Sequence, residues 1–242
     1  MSLRERIATA DGKRRVVRAI FATIADRYDL ITVVLSYGQD QRWKRRLIDL
    51  AQAGPGARAL DLATGTGDLA FALAARGAGV VGLDVTLRMI ELAIAKRGRT
   101  AHRPAVGPRF LVGDMQALPF PSRSFDIVTT GYGLRNVPNL ATAIEEIHRV
   151  LSPGGRMLSL DFNRPSNGAV RSAYLAYLTV TGAALGWLLH RDPDTYRYIP
   201  ASIRQYPGAE AVARMFEARG FTDVRWYPVL GGLMTIHHAI RA

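Results

Sequence analysis

Cysteine is absent from the 242 residues, and that absence excludes disulfides, thiolate zinc clusters and cysteine nucleophiles together. Histidine is scarce, with five residues scattered at no metal-ligand spacing, so no metal is expected. No Pro, Gly or Ser tract marks a linker, and a single domain spanning 1–242 is expected. The N-terminal stretch MSLRERIATADGKRRVV lacks the apolar core of a secretory signal, which predicts a cytoplasmic protein. Acidic residues are also in short supply. Twenty Asp and Glu against 32 Lys and Arg leave a net charge of +12, which attracts phosphate-rich partners, either nucleic acid or an anionic bilayer.

What is present is alternation. Apolar runs of strand length, RALDLA, GVVGLD, PRFLVGD, SFDIVTT and GGRMLSLDF, are separated by stretches of helical period such as DLAFALAAR and NLATAIEEIHRVL. This pattern predicts an α/β fold with a parallel sheet covered on both faces. The last two runs, DVRWYPVL and LMTIHHAI, are joined by a short glycine turn and predict an antiparallel C-terminal hairpin. Two segments stand outside the repeat. Residues 1–53 read as two helices, with Arg14, Arg15 and Arg18 at helical spacing. Within a helical cap insertion at 163–207, residues 173–190 are almost wholly apolar but short for a membrane span, and read as a buried or interfacial helix over a ligand pocket.

The stretch LDLATGTGDLA, residues 60–70, is the most informative. A strand ends at Asp61, Gly65 and Gly67 allow a tight turn and close backbone approach, and a helix begins near Asp68. Asp84 closes the next strand, where an acid can accept from both ribose hydroxyls, and Asp114 follows the third, where a carboxylate can accept from an adenine amino group. All three acids then face one crevice. No phosphate loop of the G-x-x-x-x-G-K-[ST] type is present, and the turn is D-x-x-x-G-x-G instead of G-x-G-x-x-G. An acid just before the glycines repels a pyrophosphate but suits the ammonium of an amino-acid tail. The implied ligand is S-adenosylmethionine.

This pattern resembles class I S-adenosylmethionine-dependent methyltransferases. Along nearly the whole chain the blocks YDLITVVLSYGQDQRWKRRLID, ALPFPSRSFDIVTTGYGLRNV, HRVLSPGGRM and DTYRYIPASIRQYP are similar to those of the ubiquinone/menaquinone biosynthesis C-methyltransferases. The resemblance implies a Rossmann-like, seven-stranded, mostly parallel sheet and cofactor contacts at Thr66, Asp84, Asp114 and Met115. The sequence departs from the family pattern at Gly131, where a serine is usual, at Thr32, where an asparagine is expected, and at Asp40, where a histidine is usual.

The activity so implied is methylation of a ring carbon in a lipid-soluble, prenylated quinol, either demethylmenaquinol or a ubiquinol precursor. Arginine is a poor base because it is already protonated, so Arg135 is expected to stabilise phenolate charge or orient a water. Asn136 is expected to hold that water or a ring hydroxyl. Tyr28, Tyr196 and Tyr198 are candidates for lining the ring pocket, whereas His148, Trp43 and Trp187 read as structural. A soluble aromatic acceptor is the alternative. RNA methylation is disfavoured, because no Asn/Asp-Pro-Pro-aromatic tetrad follows the fourth strand and no basic run with interleaved aromatics forms a stacking platform. The basic N-terminal helix and the apolar stretch together suggest peripheral contact with an anionic membrane.

Overall fold

The computed structural model describes residues 3–99, 107–192 and 195–242. Its centre is a sheet of β1 (Arg58–Leu62), β2 (Gly79–Asp84), β3 (Arg109–Val112), β4 (Phe125–Gly131), β5 (Leu151–Phe162), β6 (Phe221–Val229) and β7 (Met234–Arg241), in the order β3-β2-β1-β4-β5-β7-β6. Every pairing from β3 to β5 is parallel, while β7 is antiparallel to both β5 and β6. The expected C-terminal hairpin is therefore present, and it is the second strand, β7, that lies inside the sheet with β6 at the edge.

The central strands are apolar on both faces because both faces are covered. Around the sheet lie α1 (Leu3–Arg6), α2 (Ala10–Ile24), α3 (Tyr28–Leu35), α4 (Asp40–Ala51), α5 (Asp68–Ala75), α6 (Leu87–Arg99), α7 (Leu140–Val150), α8 (Gly168–His190), α9 (Tyr198–Gln205) and α10 (Ala209–Glu217). On one face Ile144 and Ile147 of α7 and Val212 and Phe216 of α10 bury against Leu60, Leu62 and Val128. On the other, Trp43, Leu47 and Ile48 of α4 and Leu69 and Leu73 of α5 bury against Ala59, Ile127 and Leu158. At about 25 cal/mol per Å² of apolar surface, these two layers supply the main favourable term for folding. His148 and Trp43 are packing residues, as expected: His148 meets the Phe221 ring edge-on at 5.1 Å and Trp43 is buried.

Three expectations are corrected. The N-terminal segment holds four helices instead of two: a 3₁₀ turn at Ala25–Arg27 separates α2 from α3, and the left-handed residues Tyr37 (φ 52°) and Gly38 (φ 72°) separate α3 from α4. The apolar helix α8 is longer than 173–190, starting after Asn167, whose side chain accepts from the N–H groups of Ala169 and Val170. At 23 residues it is the one described helix long and apolar enough to cross a membrane, yet only 28% of its most apolar window is buried. Trp187, read as a core residue, is 67% exposed. Asp194, at the head of the DTYRYIP block, lies outside the described residues.

Candidate active site

The turn after β1 passes through left-handed backbone at Ala63 (φ 49°), Gly65 (φ 54°) and Gly67 (φ 89°). A Cβ on Gly67 would stand 2.9 Å from the Phe71 ring and 3.0 Å from that of Phe110, so no side chain fits there. The turn aims the Gly65 N–H at Asp84 Oδ2, 2.9 Å away, while the Thr86 N–H donates to Asp84 Oδ1 at 2.8 Å. Both carboxylate oxygens are thereby fixed with lone pairs to spare. Asp61 accepts from the hydroxyls of Thr64 and Thr129 at 2.6 and 2.7 Å, and burial raises its pKa to about 6 against the pull of those bonds. Asp114 accepts from the Gln116 N–H at 2.9 Å, and its other oxygen stands 3.3 Å from Arg14 Nε.

Gly65, Asp84, Thr86 and Asp114 line one crevice at the carboxyl edge of the sheet, about 80 Å³ in volume, together with Met115, Gly131, Gly133 and Asn136 and with Arg14, Val17 and Arg18 from α2. It adjoins a smaller space of about 20 Å³ bounded by Tyr28, Lys44, Asp61, Thr66 and Asp68. The crevice suits an adenosine with an amino-acid tail. Thr86 Oγ1, buried beside Asp84, has no hydrogen-bond partner, and the backbone at Gly131 and Gly133 is bare. A Cβ on Gly133 would stand 2.3 Å from Thr130 Oγ1, and one on Gly131 3.2 Å from Leu69 Cδ1.

Beside the crevice lies a cavity of about 500 Å³ lined by α2, α3 and α8 and by the aromatic side chains of Tyr28, Tyr132, Phe162, Tyr174, Tyr196 and Tyr198. Among the described residues Arg135 is the one charged residue in its lining, and Phe21, Tyr28 and Tyr132 line both cavity and crevice. Arg135 and Asn136 sit in a 3₁₀ turn after β4 (Leu134–Asn136), and both are buried. Arg135 Nε stands 3.0 Å from Asp161 Oδ1, and its Nη1 donates to Asn136 Oδ1 at 2.8 Å and to Ser202 Oγ at 3.1 Å. The Phe162 ring lies 4.8 Å below its guanidinium carbon. Burial pushes the Asp161 carboxyl above the usual carboxylate range while Arg135 pulls it back.

The structure redistributes several expected roles. Asn136 faces the cofactor crevice, and its amide is engaged at both ends, accepting from Arg135 and donating to the Tyr132 carbonyl at 2.7 Å. Its Oδ1 thereby holds Arg135 Nη1 in place, with a second amide N–H left over for another partner. Tyr196 spends its hydroxyl on His190, 3.0 Å away, whereas the buried hydroxyl of Tyr198 has no partner. Tyr28 sits where cavity and crevice meet, and burial raises its pKa to about 12, so it is a phenol at neutral pH. Thr66 donates to Asp29 of α3 at 2.6 Å, tying the glycine turn to the N-terminal helices.

Sequence reasoning missed Asp161, Tyr132, Lys44 and Lys13. Asp161 left a trace as a fourth acid closing a fourth strand. Tyr132, left-handed at φ 61°, donates to the buried Asp40 at 2.6 Å, and Lys44 bridges Asp40 and Asp68 at 2.7 and 2.8 Å. Lys13 donates to the Arg135 carbonyl at 2.9 Å. Apart from Asp40–Lys44, an i,i+4 pair on α4, these contacts join residues far apart in sequence.

A doubly wound sheet of this order, with a glycine turn after its first strand and acids closing the next two around one crevice, defines a class I methyltransferase. The ubiE/COQ5 methyltransferase family matches residues 8–241, and the chain belongs to that family. It is 44% identical over 220 residues to a demethylmenaquinone methyltransferase of Thermus thermophilus, covering 90% of this chain and 98% of that protein. It is 37% identical over 233 residues to the ubiquinone/menaquinone biosynthesis C-methyltransferase UbiE of Azotobacter vinelandii, covering 95% and 91%. A S-adenosylmethionine-dependent methyltransferase from Aquifex aeolicus shares the fold, with a TM-score of 0.58 at 16% identity over 82% of this chain and 89% of that one. The chain is a methyltransferase with S-adenosylmethionine as its methyl donor.

Proposed function

We propose that this methyltransferase places a methyl group on a ring carbon of a prenylated quinol, demethylmenaquinol or a ubiquinol precursor, in the cytoplasm at the inner face of the cell membrane. The observation that carries the reading is Arg135: among the described residues, a single cation in the wall of an otherwise uncharged, aromatic cavity that shares Phe21, Tyr28 and Tyr132 with the cofactor crevice. An oily ring with one oxygen that must become negative fits such a wall. The relatives named for demethylmenaquinone and for ubiquinone/menaquinone synthesis agree with it.

Bound S-adenosylmethionine supplies an electrophilic methyl group. The protein supplies position and charge. Arg135 is held beside Asp161, Asn136 and Ser202 through Nε and Nη1 and lines the cavity, where its charge can stabilise a ring oxygen as it gains phenolate character. A fixed guanidinium in a site lined by aliphatic and aromatic groups acts more strongly than in water, because little solvent competes. The partnerless hydroxyl of Tyr198 and the phenol of Tyr28 offer hydrogen bonds to ring oxygens. The proton on the methylated carbon must pass to a base other than arginine, which is a poor one.

The test is turnover with methyl-labelled S-adenosylmethionine and a chemically reduced, short-tailed demethylmenaquinol. Label that partitions into organic solvent with the quinol supports the reading. Label that appears only in a water-soluble aromatic, or in added RNA, overturns it.

A further inference from the structure

Beyond Asp29 in its first turn, which faces the glycine turn and α6 through Thr66 and Lys96, the helix α3 is apolar on its inner and its outer side. Ile31 and Leu35 turn inward onto Leu185 and Leu189 of α8 and onto Tyr196, while Leu30, Val33, Val34 and Tyr37, at spacings i, i+3, i+4 and i+7, turn outward and are exposed. A helix hydrophobic on both faces belongs in a core or against a membrane. The outer face of α8 repeats the anomaly. Its exposed positions after Ser172 are Ala173, Ala176, Val180, Ala184, Trp187 and Leu188, with no charge among them, and Val180 and Leu188 are each 70% exposed.

The two outer faces adjoin. Tyr37 at the end of α3 stacks on Tyr177 in the middle of α8, ring centroids 6.1 Å apart. At the other end, burial and then the nearby charge of Arg27, just before α3, depress the pKa of His190, the last residue of α8. The helices thus run antiparallel beside each other. They also flank the mouth of the acceptor cavity, whose lining residues Tyr37, Val170, Ala173 and Leu230 are themselves exposed and apolar or aromatic.

We infer that the α3–α8 face docks on an anionic lipid bilayer with the cavity mouth against the acyl chains, so that the quinol passes from membrane to active site without crossing water. This rests on the quinol reading above. Charge selects the occupant. Arg164 and Arg171 stand at the α8 N-terminal end of the paired helices, and Arg27 and Arg191 at the other end beside Asp26, Asp29 and Asp192, in a chain of net charge +12, and cations near an anionic surface strengthen attachment to it. A second copy packed face to face would set these arginines against one another. The composition matches that of an interfacial helix, with apolar residues on the buried face and basic residues at the headgroup level.

Co-sedimentation with phosphatidylglycerol-containing vesicles tests the face, using the wild type and the triple variant Val34→Glu, Val180→Glu, Leu188→Glu, none of which lines the cavity. The wild type is expected to bind these vesicles and bind neutral phosphatidylcholine vesicles weakly, and the triple variant to lose binding by about tenfold or more. Both proteins are expected to methylate a short-tailed quinol in solution at equal rates, with only the wild type acting efficiently on a long-tailed quinol embedded in vesicles. Equal vesicle binding by the two proteins overturns the inference, as does a wild-type dimer in sedimentation velocity that the variant dissociates. Failure of both proteins on the soluble quinol instead counts against the substrate reading, and the vesicle comparison still decides the docking face.

Discussion

Arg135 concentrates two properties that mutation can separate. Its guanidinium neutralises Asp161, which is fully buried, and it lines the acceptor cavity. Removing the side chain in Arg135→Ala leaves a buried carboxylate without its partner, a change that costs about 3–5 kcal/mol in comparable buried pairs, and urea denaturation is expected to show a loss of that order. Arg135→Lys keeps a charge but not the planar fork, so it cannot serve Asp161, Asn136 and the ring at once. The expected result is a folded protein with unchanged affinity for S-adenosylmethionine and kcat reduced by about 100-fold, the scale of losing one charge-stabilising donor. Asp61 gives a pH dependence. Its carboxyl is raised from 3.8 to about 6 by burial, and only its ionised form attracts the ammonium of the cofactor. Affinity for S-adenosylmethionine is therefore expected to be full above pH 6 and to fall as pH drops through about 6, a step that calorimetry should find in the wild type and not in Asp61→Asn. Its stability effect has the opposite sense: the folded protein holds a proton that the unfolded chain releases, so the contribution is present below pH 3.8 and is lost as pH rises through about 6. At this scale the sequence showed the residues that end strands, Asp61, Asp84, Asp114 and the Arg135–Asn136 pair, because position along a strand implies direction. It did not show that Asn136 serves Arg135, since that depends on how one turn rotates two neighbouring side chains.

At the level of elements, the glycine turn, α3 and α6 form one polar latch. Asp29 of α3 accepts from Thr66 at 2.6 Å and pairs with Lys96 of α6 at 3.2 Å, and Lys96 reaches Asp68 at 2.5 Å. Arg88 of α6 holds Asp26, in the turn before α3, at 2.6 Å. The latch lies beside the crevice that α2 lines, which places it to affect how fast a cofactor leaves. Asp29 is half-exposed, so Asp29→Asn is expected to change stability by about 1 kcal/mol or less. It is expected to speed dissociation of S-adenosylmethionine several-fold, read by stopped-flow fluorescence; an unchanged rate would mean the helices do not gate the crevice. The repeating β and α segments were legible because each strand's apolar run and each helix's period are local. The break of residues 1–53 into four helices was not, because left-handed backbone at a tyrosine, Tyr37, has no sequence signature of the kind glycine gives at Gly38.

Across the whole molecule, the apolar runs of the chain divide into two populations that look alike in sequence. One fills the two layers against the sheet; the other, in α3 and α8, lies outside around the acceptor cavity. Hydropathy alone cannot tell them apart, which is why Trp187 reads as a core residue and proves exposed. What separates them is the cavity between α3 and α8, and cavities form only from tertiary packing. Its volume of about 500 Å³ is that of a pocket for a drug-sized ligand, enough for a quinol ring and the start of its tail, so a long tail must continue through the mouth past Tyr37 and Val170. Tail length is then expected to act in two regimes. With soluble quinols in dilute detergent-free buffer, kcat/KM should rise with the first tail units, as each buries methylenes worth about 0.8 kcal/mol apiece, and stop rising once the cavity is full. With anionic vesicles present the longest tails should regain the advantage, because the remainder lies in lipid, and added salt should weaken that advantage by screening the attraction of a +12 protein to the surface. A kcat/KM that climbs steadily with tail length in solution, or that ignores vesicles and salt alike, would place the tail in a closed pocket and not at a bilayer.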